Sequence, residues 1–316
     1  MYDEQMAKTV RTLPKPIEDL SDKEIERKKQ IGKVTTHVLS HFTREFTGDG
    51  FEWLLPVVFA KSTDPLWPDP GASIEKRVEV EIYGETVRTT LSMIVHKIAA
   101  CSLVYPKLFT LSPNVRIEKR ERVVTGVHAY EFTQLDFEVR NASSQEIRDW
   151  VEKLICGLIC ELKKEEFMSL ERCSSLKVPE APFKIYDMAE IDSKEGWEKS
   201  FDEPVWIVNM AREFYDFEDF ETGKWDNYDL FLPGYGEVLS GSKREWEYEK
   251  ILKKMERDGV QKRNYAVLLK LAKDQRLKPM AGAGIGVERL ISWLVGAKHV
   301  GEVQPFPKIP GIVYEL

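Results

Sequence analysis

Arg116 and Glu118 stand two residues apart, and a charged stretch separates them from His128-Ala129-Tyr130-Glu131-Phe132-Thr133-Gln134-Leu135-Asp136-Phe137-Glu138. In a strand, residues two apart share a face, so Arg116 lies beside Glu118, and Phe132, Gln134 and Asp136 line up together. An arginine, a carboxylate and an aromatic ring in one place can grip a nucleotide: cation on phosphate, acid on an exocyclic amine, ring on the base. A solvated strand face with exposed ion pairs would show the same spacing.

Three further segments carry unusual chemistry. In Tyr228–Glu245, Asp229 and Glu237 fall on adjoining short strands and could share Mg²⁺, a hard cation that takes oxygen ligands and bridges phosphates. Ser240 and Arg244 follow, and the planar fork of Arg244 suits a carboxylate. A glycine-rich hairpin with surface charges is the plain alternative. Ala281–Leu290 superficially resembles a GxGxxG loop, but a dinucleotide fingerprint opens a βαβ unit with an acid about 20 residues on. Here no parallel unit follows. The small residues, Gly282 among them, still let a ligand approach the backbone, and they lead into a helix bearing Arg289. The Pro-rich loop 62–73 offers Asp64 and Asp69, either as acids for an ammonium group or as caps of turns.

These residues need a scaffold. Ser21-Asp22-Lys23-Glu24 is a capping box, and the apolar residues from Ile25 to Phe46 recur at helical spacing, so a long helix is expected over 22–47, stopped by Gly48-Asp49-Gly50. Phe51–Ala60 reads as a strand broken by Pro56, suited to a sheet edge or contact surface. Strands are expected at 78–83, 108–118, 130–139, 204–209, 228–232 and 236–239. Helices are expected at 90–104, from Ser143 through Leu162, and at 243–258, 262–275 and 285–296. Strand runs between a few helices without regular alternation predict an α+β fold, a largely antiparallel sheet flanked by helices.

The 316 residues carry 46 Lys+Arg against 53 Asp+Glu, a net charge of -7, with 42% hydrophobic residues. That excludes a disordered chain. No apolar run approaches the roughly 20 residues of a membrane span, and no secretory signal is visible, so cytoplasmic residence is expected. The acidic balance argues against a protein living on bulk phosphate contacts. Of the four cysteines, Cys156 and Cys160 lie one helical turn apart as core thiols, and none has zinc-site spacing.

Taken together the segments resemble class II aminoacyl-tRNA synthetases of the aspartyl/asparaginyl subgroup. The long helix with Gly50-Phe51-Glu52-Trp53 and Pro56 looks like motif 1. Arg116–Glu118 through Glu131–Glu138 looks like motif 2. Gly284-Ile285-Gly286-Val287-Glu288-Arg289-Leu290 looks like motif 3. Within that group the chain is most similar to free-standing asparagine synthetases of archaeal type, including Leu66-Trp67-Pro68-Asp69-Pro70 and Arg212-Glu213-Phe214-Tyr215-Asp216.

The resemblance implies an N-terminal arm over 1–21 and a single catalytic domain over 22–316, with no anticodon-binding domain. It implies ATP and Mg²⁺ as cofactors and aspartate and ammonia as substrates. The product would be asparagine, made through a β-aspartyl adenylate with release of AMP and pyrophosphate. The alternative is an enzyme that charges tRNA or another carrier. Arg116 would hold the α-phosphate. Phe132 would stack on adenine with Arg289 on its other face near the γ-phosphate, and Glu118 and His128 would complete the ATP site. Asp229 and Glu237 would hold Mg²⁺. Ser92, Lys97, Gln134, Ser240, Arg244 and Gly282 would form the aspartate pocket, with two cations facing a carboxylate that reject its amide. Asp64 and Asp69 would serve ammonia or the α-ammonium. Ile94 and Val127 replace a Gln and an Arg of the synthetases. A homodimer built on the 22–47 helix and the Pro56 strand is expected, and tRNA is not expected as a partner.

Overall fold

The computed structural model describes residues 13–66, 74–164, 171–192 and 196–316. Asp69 and the 67–73 stretch of the Pro-rich loop lie outside the described residues. Helix α1 (Asp22–Gly48) starts at its capping box: the Ser21 hydroxyl accepts from the Glu24 N–H, and the Glu24 carboxylate accepts from the Ser21 N–H at 2.8 Å. Its stripe of Ile31, Val34, Val38, Phe42 and Phe46 is fully buried. The chain leaves through Gly50, whose φ of 79° a side chain would resist.

Eight strands form the main sheet: β1 (Glu52–Trp53), β2 (Lys107–Val115), β3 (Glu131–Arg140), β4 (Lys184–Asp187), β5 (Val205–Val208), β6 (Asn227–Leu232), β7 (Gly236–Lys243) and β8 (Met280–Gly286). Their order is β1-β2-β3-β8-β7-β6-β5-β4. All neighbours are antiparallel except the outer pairs β1–β2 and β4–β5. The expected α+β fold with an antiparallel sheet flanked by helices is therefore the observed one.

The sheet is amphipathic across its two faces. Leu135 and Phe137 of β3 point to one face, where α1 and α3 (Ser144–Lys164) cover them; Phe46 packs against Phe109, Phe137 and Trp150 with ring centroids 4.6 to 5.2 Å apart. Phe132, Gln134, Asp136 and Glu138 alternate onto the opposite face, beside α2 (Ile94–Leu103). The short helices Tyr248–Arg257 and Ala266–Lys273 pack with α2 in a second core.

The stretch 281–290 departs from expectation. It is not a loop but the central strand β8 running directly into α4 (Val287–Val295). Ala281, Ala283 and Ile285 enter the core, and Gly282, Gly284 and Gly286 face the other way, opposite Glu138, Asp136 and Gln134 in register. A Cβ on Gly282 would stand 2.1 Å from the Phe137 carbonyl oxygen, and one on Gly284 2.2 Å from Gln134 Nε2. The glycines are there because the polar side chains of β3 occupy the space a side chain would need. A hairpin of Glu79–Ile82 with Glu85–Thr89, flanked by Phe59–Ala60, is one strand richer than the sequence suggested.

Candidate active site

On the α2 side of the sheet lies a cavity of about 330 Å³, lined from β3, β7, β8, α2, α4 and the loops around Asp64, Arg122 and Arg212. It gathers Asp64, Ser92, Lys97, Arg116, Glu118, His128, Phe132, Gln134, Glu237, Ser240, Arg244 and Arg289, residues from six separate stretches of the sequence. Its two ends differ in chemistry.

At one end the Arg116 guanidinium lies over the Phe132 ring, 5.2 Å from its centroid, and Arg116 Nε donates to the Leu91 carbonyl at 3.0 Å. Glu118 is buried, one of its oxygens lacks a hydrogen bond, and Arg122 sits 3.5 Å away. Burial pushes the Glu118 carboxyl up, with Arg122 and Arg116 opposing. Arg122 donates to His128 Nε2 at 2.6 Å, so the imidazole proton sits on Nδ1 and is donated to Thr125 Oγ1, also at 2.6 Å. Burial, helped by Arg289, Arg122 and Arg116, holds the His128 pKa down to about 3, which makes it a neutral group among cations. Arg289, from the first turn of α4, donates to the Val127 carbonyl at 3.2 Å and to Glu237 Oε1 at 3.1 Å. The ring of Phe132 is thus faced by Arg116, whereas Arg289 is drawn aside by the Glu237 carboxylate.

At the other end Lys97 is 2% exposed, and its ammonium donates to Asp136 Oδ1 at 2.7 Å with Glu138 at 3.4 Å. Arg244 donates to Glu138 at 2.9 Å, to Asp216 at 2.6 Å and to the Gly282 carbonyl at 3.2 Å. The two cations expected to stand open before a carboxylate are therefore paired within the chain. Buried charges must be paired, and these alternate in sign along the floor. Asp136 Oδ2 has no hydrogen-bond partner among the described residues. Asn114 Nδ2 donates to Gln134 Oε1 at 2.8 Å and fixes that amide.

Two expected residues lie off the cavity wall. Gly282 sits behind Glu138 and makes room for it. Asp229, on β6, is engaged by Arg212 and stays behind the lining. Its Oδ1 is buried without a well-formed hydrogen bond, the Ser240 hydroxyl across the ladder being a weaker neighbour. Burial raises the Asp229 carboxyl, with Arg212 opposing and Glu237 adding to the rise. An unsatisfied carboxylate oxygen near the half-exposed Glu237 is a donor set of the kind a hard divalent cation takes, so the pair fits Mg²⁺ chemistry.

The sequence reading gave no role to Arg122, Arg212, Glu213 and Asp216, all of which line the cavity. The signal lay in Arg212-Glu213-Phe214-Tyr215-Asp216: three charges among aromatics just after the buried strand β5 must find partners inside. Glu213 is 8% exposed, and its carboxylate has no ion pair and no hydrogen bond to another residue among the described residues. Burial raises its carboxyl, the Asp64 and Asp216 charges add to that, and Arg212 opposes. Ile94 is buried in the wall, as the apolar departure expected there.

An aromatic ring faced by an arginine at one end and a buried floor of alternating charges at the other share one cavity on the antiparallel sheet. The sequence pattern of the tRNA synthetases class II (D, K and N) matches residues 78–310, and the chain belongs to that family. It is 30% identical over 236 residues to the asparagine–tRNA ligase of Pyrococcus furiosus, covering 66% of this chain and 54% of that protein. The asparagine–tRNA ligase of Thermoplasma acidophilum is 26% identical over 230 residues, covering 64% of this chain and 53% of that one. The chain thus spans about half the length of these curated relatives.

In fold it is similar to the asparaginyl-tRNA synthetase of Pyrococcus horikoshii complexed with asparaginyl-adenylate, with a TM-score of 0.78 and 22% identity over 92% of this chain and 70% of that one. The asparaginyl-tRNA synthetase of Entamoeba histolytica in complex with asparaginyl-adenylate gives a TM-score of 0.78 and 20% identity over 90% and 68%. Membership in a tRNA synthetase family gives no support to the expectation that tRNA is not a partner. Among the described residues no helix is long and apolar enough to cross a membrane.

Proposed function

We propose that this chain activates aspartate with ATP as an acyl adenylate and passes the acyl group to ammonia, forming asparagine with AMP and pyrophosphate. The observation that carries the reading is the joining of two unlike ends in one cavity: Phe132 under Arg116 at one, the Lys97–Asp136–Glu138–Arg244–Asp216 network at the other. The first end suits adenine and phosphate. The second, with charges of both signs side by side, suits the zwitterionic head of an amino acid better than a lone carboxylate.

The head would enter deep, its α-carboxylate toward Lys97 and Arg244 and its α-ammonium toward the free oxygen of Asp136. The β-carboxylate then points toward the α-phosphate. One of its oxygens forms the bond to phosphorus, and the bond to pyrophosphate breaks. Arg116 and Arg289 stabilise the charge that develops on phosphate, fixed in place before reaction. Glu237 and Asp229 would hold Mg²⁺, which neutralises phosphate charge when bound.

A second reading has specific support. The curated relatives are asparagine–tRNA ligases, and this kinship backs transfer of the acyl group to tRNA more directly than transfer to ammonia. Incubation with labelled aspartate, Mg-ATP and ammonium, with and without tRNA, separates the two. The proposal expects free asparagine and AMP in equal amounts, unchanged by tRNA. Label recovered on tRNA supports the second reading, and isoasparagine would mean that the α-carboxylate is activated.

A further inference from the structure

Among the described residues, Glu213 is the carboxylate at the amino-acid end whose side chain has no ion pair and no hydrogen bond from another residue. Asp136 has Lys97, Asp216 has Arg244, and Asp64 accepts from the Leu66 N–H at 2.8 Å. Glu213 lines the same cavity at 8% exposure, and its carboxylate has neither a hydrogen bond to another residue nor an ion pair among the described residues. Arg212 beside it is drawn to Asp229. A carboxylate in such a place is costly to keep, because its charge is desolvated and lies near Asp64 and Asp216. What relieves that cost is a small cation. Aspartate already finds opposite charges for its head in the Lys97–Asp136 and Arg244–Asp216 pairs.

We infer that Glu213 receives the nitrogen nucleophile, holding ammonium beside the activated acyl group and taking a proton from it. This rests on the proposed use of ammonia. The ammonium N–H bond breaks, its proton goes to the Glu213 carboxylate, and the freed lone pair forms the C–N bond. The C–O bond to phosphate breaks and its electron pair leaves on AMP. The nitrogen then sheds a second proton to solvent as the amide forms. Tyr215 and Tyr265 flank the acids of this corner, and Tyr265 donates to the Thr63 carbonyl at 2.8 Å, next to Asp64.

Hydroxylamine tests the inference, because it is a good nucleophile that is largely neutral near neutral pH and needs neither capture as a cation nor deprotonation before attack. Asparagine formation from ammonium and aspartyl hydroxamate formation from hydroxylamine are measured for wild type, Glu213→Gln and Glu213→Asp. Each rate is divided by the same protein's aspartate-dependent pyrophosphate exchange.

In Glu213→Gln, kcat/KM for ammonium is expected to fall about 100-fold, the scale of a lost general base, while the hydroxylamine reaction falls by a much smaller factor. Glu213→Asp, which keeps the carboxylate, is expected to lie between. Equal loss with both nucleophiles, or no loss with either, overturns the inference. So does a raised KM for aspartate in pyrophosphate exchange without a split between nucleophiles, which would assign Glu213 to the α-ammonium. A wild type that exchanges pyrophosphate but makes no asparagine overturns the ammonia reading itself, before any variant is compared.

Discussion

Arg116 and Arg289 are presented to the cavity by different means. Arg116 is fixed from two sides, by the Leu91 carbonyl and by the Phe132 ring, so its fork has one orientation whatever else is bound. Arg289 is tethered to Glu237, a side chain that is 38% exposed, and to the Val127 carbonyl. Replacing either by Ala is expected to reduce aspartate-dependent pyrophosphate exchange by roughly 10²–10³-fold, because a preorganised donor to transition-state charge contributes about 2.7–4 kcal/mol. Arg289→Lys is expected to recover only part of the loss, since a lysine keeps the charge and gives up the planar fork. Exchange near the wild-type rate in either Ala variant would mean that the nucleotide binds in another pose. Arg116, Glu118 and Phe132 were legible from spacing, because a strand period of two announces a shared face, and Arg289 from the helix that follows the small residues. Their pairing was not. Whether Lys97 faces an open carboxylate site or is tied to Asp136 depends on a helix residue and a strand residue 39 apart in sequence, which no local pattern reports.

At the scale of elements, β8 shows what periodicity hides. Its alternation is present in the sequence, glycines at 282, 284 and 286 against Ala281, Ala283 and Ile285. Glycine has poor strand propensity, so the run reads as a loop until the side chains of β3 are seen to fill the space above it. Helix α1, by contrast, was legible to within a residue, because its cap and its 3.6-residue stripe agree. The two glycines then predict opposite phenotypes. A Cβ at Gly282 meets the backbone oxygen of Phe137 at 2.1 Å, which the ladder can relieve only by opening. Gly282→Ala is expected to destabilise the protein by about 1–3 kcal/mol, the usual range for overpacking, read as a lowered midpoint in urea. At Gly284 the neighbours are the ends of the Gln134 and Asp136 side chains rather than backbone, and these can give way at the cost of their hydrogen bonds to Asn114 and Lys97. Gly284→Ala is expected to lose less stability and to raise the aspartate KM at least tenfold. Equal loss of stability in both would mean that the glycines serve the ladder alone.

At the scale of the whole molecule, neighbouring large apolar side chains stand outward on one short segment of the described residues. The apolar stripe of α1 cannot form a dimer seam as the sequence suggested, because Ile31, Val34, Val38, Phe42 and Phe46 are consumed by the chain's own core against α3 and α4. What remains is the segment after β1. Trp53, Leu55 and Phe59 are 53%, 88% and 45% exposed, and Val58 is exposed beside them. The backbone beneath them is not loose: the Leu54 N–H donates to the Phe109 carbonyl, and the Val58 carbonyl accepts from the Thr90 N–H, both at 2.8 Å. Large apolar side chains held outward on a fixed frame are what a protein interface presents, and a monomer in water gains nothing from them. A homodimer meeting through residues 53–59 is the expected state, burying something like 1,200–2,000 Å² in all. Because association stabilises the folded state by mass action, the thermal midpoint should rise with protein concentration over the micromolar range. Leu55→Asp combined with Phe59→Asp should abolish that dependence and give a monomer in sedimentation, with the circular dichroism of the fold retained. A wild type that sediments as a monomer at tens of micromolar, with a midpoint independent of concentration, would remove the dimer and leave this surface for a different partner.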